Sequence, residues 1–201
     1  MSDRATVDLF VEDRAHEEFL VPLVKRIATK EAIAVRCRVR SAVGGHPRAM
    51  REFESYQRLW ERGVFTGIPD VLVVAIDTNC STFARTRAQI EEATHDQFRA
   101  LLVTACPNPH IERWFMADLR SFHRVVGHRP AVGTAKCERG YYKDHLKDAV
   151  RRGGHPQTLG GIEFASALVE EMSLYRAGRA DRSLKVFVDD LRARFRTHSA
   201  S

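Results

Sequence analysis

The chain lacks any run close to the roughly 18 consecutive apolar residues that a membrane-crossing helix needs. Its first apolar stretch is broken by Asp8 and Glu12, so the beginning of the chain has no signal-peptide core. Both absences predict a soluble, cytoplasmic protein without a membrane role. Cysteine is sparse: Cys37, Cys80, Cys106 and Cys137 stand far apart with no CxxC pair. That excludes a zinc ribbon, and in a cytosolic chain the four read as ordinary thiols. Gly44-Gly45 and Gly153-Gly154 belong to neither a GxxxxGK[ST] nor a GxGxxG pattern, so the chain carries no ATPase or dinucleotide loop of its own. Serine and cysteine nucleophile arrangements show no recognisable elbow or spacing. Internal repeats, low-complexity tracts and flexible linkers are also missing.

What is present is a 201-residue chain, 44% hydrophobic, long enough to bury one substantial core. Its formal net charge of +6 is concentrated in Arg36–Arg51 and Arg139–Arg152. Such charge favours a phosphate-rich partner without sequence preference, although many basic proteins bind no nucleic acid.

Hydrophobic periodicity organises the first half into alternating strands and helices. Thr6–Glu12 alternates as a strand, and Ala15–Ala28 places Phe19, Leu20, Leu23, Val24 and Ile27 at helical spacing. Ala32–Val39 reads as a second strand, Ser41–Pro47 as a glycine-broken loop, and Arg48–Arg62 as a helix. After a turn at Gly63–Pro69 comes Val71-Leu-Val-Val-Ala-Ile-Asp77, six apolar residues running into a carboxylate. A continuous apolar run of this kind predicts a strand buried on both faces, as in parallel sheets. Ser81 or Thr82 can cap a helix reaching Thr94, and Phe98–Ala105 predicts a fourth strand. The order β-α-β-α-β-α-β predicts an α/β fold with a central parallel sheet of about four strands flanked by helices. Beyond Leu119 the pattern becomes helical, with a loop at Gly127–Gly140 and helices at Tyr141–Arg152, Gly161–Arg176 and Arg182–Arg196. Residues 1–120 thus read as an α/β core and 121–201 as a mainly helical extension packed on it.

The parallel sheet places strand ends at one edge, where open α/β sheets bind ligands. Glu12, Asp77 and, past the fourth strand, Glu112 fall there, with Asn79 two residues after Asp77. Each can be a helix cap or surface acid. Together they form an oxygen-rich set suited to a hard divalent cation, which relieves carboxylate repulsion and polarises a phosphate. His16 shares a helical face with Glu12 and can bind a transition metal such as Mn²⁺. Of the other candidates, His110 can ligate a metal or contact phosphate but reads first as a surface histidine, Trp114 and Phe115 read as core rather than as base-stacking platforms, and Arg48, Arg51, Arg139 and Lys147 as cations able to line a phosphate path.

Three segments carry a family resemblance: Val11-Glu12-Asp-Arg-Ala-His16, then Val73-Val-Ala-Ile-Asp77-Thr-Asn79, then Pro107-Asn-Pro-His-Ile-Glu112-Arg-Trp-Phe-Met-Ala-Asp118. In that order, over roughly residues 6–120, they resemble the TOPRIM domain, and most of all the small TOPRIM nucleases of bacterial anti-phage systems and the overcoming-lysogenization-defect nucleases. The resemblance implies a TOPRIM-like (Rossmann-like) fold and a Mg²⁺- or Mn²⁺-dependent endonuclease cutting DNA or tRNA. It implies that Glu12 is a metal ligand or general acid/base, that Asp77 is a metal ligand, and that Asn79 stands where a second aspartate is expected. It further implies that Glu112 helps to hold a second ion, and that Lys143, or alternatively Lys136, steadies the phosphate. Relatives sit beside an SMC-like or AAA-type ATPase, which implies such a partner here, and a homodimer is a further expectation.

Departures from the pattern are specific. The E-x3-E of two-metal members becomes Glu12-x3-His16, Asp13 replaces the usual glycine, and Asn79 replaces an aspartate. These changes support an alternative, a catalytically degenerate TOPRIM module serving as a binding or regulatory subunit.

Overall fold

The computed structural model describes residues 4–41, 44–65, 67–133, 138 and 140–199. Lys136, Cys137 and Arg139 lie outside the described residues. Four strands, β1 (Ala5–Val11), β2 (Val35–Ser41), β3 (Val71–Ala75) and β4 (Leu102–Ala105), form one sheet in the order β2-β1-β3-β4. Every pairing is parallel. The fold is α/β and Rossmann-like. Central β1 and β3 are covered on both faces, and all five residues of β3 are buried, as its unbroken apolar run predicts.

Helices α1 (Arg14–Lys30), α2 (His46–Glu61) and α3 (Phe83–Glu92) make the crossovers, and a short α4 (Asp96–Arg99) precedes β4. Then come α5 (Ile111–Phe115), α6 (Leu119–Val126), α7 (Tyr141–Arg152), a 3-10 turn at Ile162–Phe164, α8 (Ala165–Glu171), α9 (Leu174–Ala180) and α10 (Arg182–Ser199). One face of the sheet carries the larger core, where α1 meets α5–α10. The opposite face carries a smaller, aromatic core in which Phe10, Phe53, Tyr56 and Phe98 pack under α2 and α3. Residues beyond 120 contribute Phe187, Leu191 and Phe195 to the larger core, so the C-terminal helices share it with the sheet. Trp114 is fully buried there, stacked on Phe187 at 5.7 Å, with its indole N–H donating to Ser183 Oγ at 2.9 Å. This contact pins α5, and with it Glu112, to α10.

Several boundaries differ from the sequence reading. β4 starts at Leu102 rather than Phe98, because Phe98 belongs to α4 and fills the aromatic core, while Arg99 ends that helix and Ala100 follows in the turn, both exposed. The single helix expected over Gly161–Arg176 is broken at Met172–Ser173. The cause is tertiary: Arg26 Nη1 donates to the Met172 carbonyl at 2.7 Å, and Asp118 accepts the Ser173 N–H at 2.9 Å. Partners elsewhere in the fold thus satisfy backbone groups released at the break. Helices α5 and α6 are additional. Cys80 is disulfide-bonded, which corrects its reading as a thiol, whereas Cys37 and Cys106 are free. Among the described residues no helix is long and apolar enough to cross a membrane.

Candidate metal centre at the sheet edge

Register brings the first two acids together. Val11 pairs with Ala75, so Glu12 and Asp77 leave neighbouring strands at the same edge. The Glu12 N–H donates to the Ala75 carbonyl at 3.2 Å, and the Asp77 N–H donates to Glu12 Oε2 at 3.0 Å. The segment after β4 locks the next two residues: Thr78 and Asn79 N–H groups donate to the Pro107 and Pro109 carbonyls at 2.9 and 3.0 Å. That return brings His110 onto Asp77, with His110 Nδ1 lying 3.1 Å from Asp77 Oδ2.

Helix α1 supplies the third member. Asp13 is its N-cap, and Asp13 Oδ1 accepts both the His16 backbone N–H at 3.1 Å and His16 Nδ1 at 2.8 Å. One carboxylate therefore starts the helix and orients the ring one turn on. The imidazole is wholly buried, and its other nitrogen, Nε2, lies 3.0 Å from Asp77 Oδ1. That approach is off the hydrogen-bonding direction, and neither atom has another hydrogen-bond partner. Glu12, His16 and Asp77 each present a ligand atom within 4.8 Å of the others.

Electrostatics follow from crowding these groups. Burial pushes the Glu12 carboxyl up, and the Asp77 charge adds to the rise. Burial acts on Asp77 in the same sense, but His16 and His110 outweigh it and hold Asp77 low. Burial would lower His16, yet the Asp77 charge and the bond to Asp13 hold its pKa well above the ordinary value. Asp13 is lowered to about 2: burial opposes that shift, and its His16 contacts overcome it. In the absence of an ion, an imidazolium between two carboxylates supplies the positive charge.

The other residues singled out in the sequence occupy distinct places. Glu112 is half-buried on α5, its carboxyl raised by burial and then by the Asp77 charge, but it is not one of the three convergent ligands. Asn79 adopts a left-handed φ of 49° and turns Nδ2 toward its neighbour's Asp77 carbonyl at 3.4 Å. Lys143 and Lys147 are exposed on α7, whose Tyr142 ring lies 6.3 Å from the His110 ring. Arg48 and Arg51 are exposed on α2, with Arg48 paired to Glu52 at 3.0 Å, and Arg139 lies outside the described residues.

Two histidines at this edge change the sequence reading. His110 is not a surface histidine; it is half-buried on Asp77, which raises its pKa. Its place after a strand end was the available signal. The Gly-Gly-His-Pro loop also reaches this edge, since a Cβ on Gly45 would stand 4.0 Å from Glu12 Oε1; burial lowers the His46 pKa there, against the Asp77 charge.

Asp8, Asp77, Asp118 and Asp181 are the buried aspartates among the described residues, and of these only Asp77 has a fully buried oxygen that makes no hydrogen bond. No protein-family model, curated protein or solved structure matches this chain.

Proposed function

We propose that this chain is a divalent-metal-dependent endonuclease that cleaves DNA or RNA phosphodiesters. The observation carrying the proposal is the buried, facing pair His16 Nε2 and Asp77 Oδ1, 3.0 Å apart but out of hydrogen-bonding line, with Glu12 beside them. Leaving such atoms unsatisfied is costly in a protein interior, and ligation of a cation is one of the few ways to remove the cost. The donor set fits: two carboxylates and an imidazole, in a cluster whose charge a cation would relieve.

Glu12, His16 and Asp77 would hold the ion, which when bound polarises a phosphoryl oxygen and can activate water. Glu12 steadies the Asp77 backbone through its Oε2, and His110 orients Asp77 through the opposite carboxylate oxygen. Glu112, whose carboxyl is raised by burial, is suited to hold a proton for a departing oxygen. Exposed Lys143 and Lys147 on α7, and Arg48 and Arg51 on α2, would draw the polyanion by charge rather than by sequence.

The TOPRIM resemblance extends the proposal to context. In that reading the chain is the cytoplasmic effector of an anti-phage complex, restrained until an SMC-like or AAA-type ATPase partner engages, and able to work as a homodimer. A second reading has its own support: His16 as a fixed imidazolium between Asp13 and Asp77 can stand in for an ion, which suits a degenerate binding module.

Incubating the purified chain with plasmid DNA and total tRNA, with Mg²⁺ or Mn²⁺ and with or without an ATPase encoded beside it, tests both. Metal-dependent cutting that disappears in Glu12→Ala and Asp77→Ala is the expected result. Folded protein that cuts nothing under every condition would replace the nuclease by the binding module.

A further inference from the structure

We propose that Asp13 and His16 make this a centre for Mn²⁺ and neighbouring first-row transition ions rather than for Mg²⁺, with Asp13 as the positioning residue that aims the ring. The inference rests on reading the cluster as an ion site and goes on to name the ion class and the residue that sets it.

A carboxylate oxygen can only accept, so the 2.8 Å contact assigns the Nδ1 proton of His16 to the bond with Asp13. In the neutral ring that bond leaves the lone pair on Nε2, the nitrogen facing Asp77 and Glu12. Carboxylate–histidine pairs of this kind fix the ring's tautomer and orientation and make the free nitrogen a better ligand.

The two sides of the ring differ in a telling way. Toward Asp13 the geometry is that of a hydrogen bond; toward Asp77 the atoms are 3.0 Å apart but out of line. A histidine serving only to pair two aspartates would aim both N–H groups at acceptors. The ligand types then discriminate among ions. Mg²⁺ prefers oxygen and retains its water, whereas imidazole nitrogen suits first-row transition ions, most strongly Fe²⁺, Ni²⁺, Cu²⁺ and Zn²⁺, with Mn²⁺ the weakest-binding of the series. His16 thus moves the site away from Mg²⁺.

Asp13 can be tested apart from its helix cap, because asparagine caps helices as well as aspartate does. Its side chain is also half-exposed, so substitution leaves the core untouched. Isothermal titration of MnCl₂ and of MgCl₂ into the full chain, with pulsed EPR of bound Mn²⁺, provides readouts independent of nuclease activity. Wild type is expected to bind Mn²⁺ at least ~10-fold more tightly than Mg²⁺ and to show nitrogen coupling from an imidazole. Asp13→Asn is expected to weaken Mn²⁺ by roughly 10–100-fold with the melting temperature kept. His16→Glu is expected to lose the nitrogen coupling and to abolish the Mn²⁺ preference. Equal affinity for the two ions in wild type, or an Asp13→Asn variant that binds Mn²⁺ as wild type does, overturns this inference while leaving an ion site in place. Failure of wild type to bind either ion overturns the inference together with the proposed metal centre.

Discussion

Asp77 and Asp118 are both buried aspartates, 8% and 3% exposed, yet the fold treats them in opposite ways. Asp118 is saturated: it takes Arg176 at 3.0 and 2.8 Å, the Ser121 hydroxyl at 2.8 Å and the Ser173 N–H at 2.9 Å. Those bonds tie α6 to the break between α8 and α9. Asp77 has His110 on one oxygen and, on the other, His16 Nε2 at 3.0 Å, an ion-pair contact out of hydrogen-bonding line. A carboxylate with every lone pair used belongs to the scaffold. One left incomplete at the carboxyl end of a central strand is available to a ligand.

The largest expected effect is the loss of the centre. Asp77→Asn should lower Mn²⁺ affinity, and any metal-dependent cleavage, by more than ~100-fold, since even residues outside the ligand set commonly contribute 10–100-fold. Titration calorimetry and a plasmid-nicking assay check it, and the thermal stability of the ion-free protein should not fall comparably.

The second prediction reverses the pattern. Asp118→Ala removes an acceptor from buried N–H and O–H donors and should destabilise the chain by about 2–3 kcal/mol. Its partner Arg176 is partly exposed, so the ion pair itself adds little. For a chain of this size that is a fall in Tm of roughly 4–12 °C, measurable by calorimetry, with ion affinity per folded molecule unchanged.

Acid should expose the same asymmetry. Arg176, Ser173 and Ser121 hold the Asp118 carboxyl below its ordinary 3.8 against the opposing push of burial. Its stabilisation is therefore complete above pH ~5 and is lost as pH falls through the lower folded value. Acid denaturation curves of Asp118→Asn should be shallower across that window than those of wild type.

The smallest effect is assigned to Glu112. Glu112→Gln, outside the three convergent ligands, should change Mn²⁺ affinity by less than ~10-fold, well short of Asp77→Asn. A loss equal to that of Asp77→Asn would place Glu112 in the ligand set.

Periodicity made part of this legible in advance. The expected Tyr141–Arg152 helix has the bounds of α7, and α1 and α10 differ from expectation by a few residues at their ends, because each buries one stripe against the core. β3 was equally plain, since a strand covered on both faces needs an unbroken apolar run. The helix break at Ser173 was not, because Arg26 and Asp118 impose it from distant parts of the chain. At the candidate site, strand ends announced Glu12 and Asp77; the shared helical face expected for Glu12 and His16 does not form, because α1 starts at Arg14 and Glu12 lies before its Asp13 cap. The role of Asp13 needs the ring's orientation, and the burial of His110 needs the return of the Pro107–Pro109 segment over Asp77, neither of which periodicity encodes.

Thermal melting of wild type, Asp77→Asn and Asp118→Ala, with and without saturating MnCl₂, tests the central contrast most directly. An ion at 100 times its Kd stabilises the native state by about 2.7 kcal/mol. The account predicts that wild type rises on adding Mn²⁺, that Asp118→Ala starts lower and rises by a similar increment, and that Asp77→Asn does not rise. A wild type indifferent to Mn²⁺, or an Asp77→Asn variant stabilised as much as wild type, would contradict it.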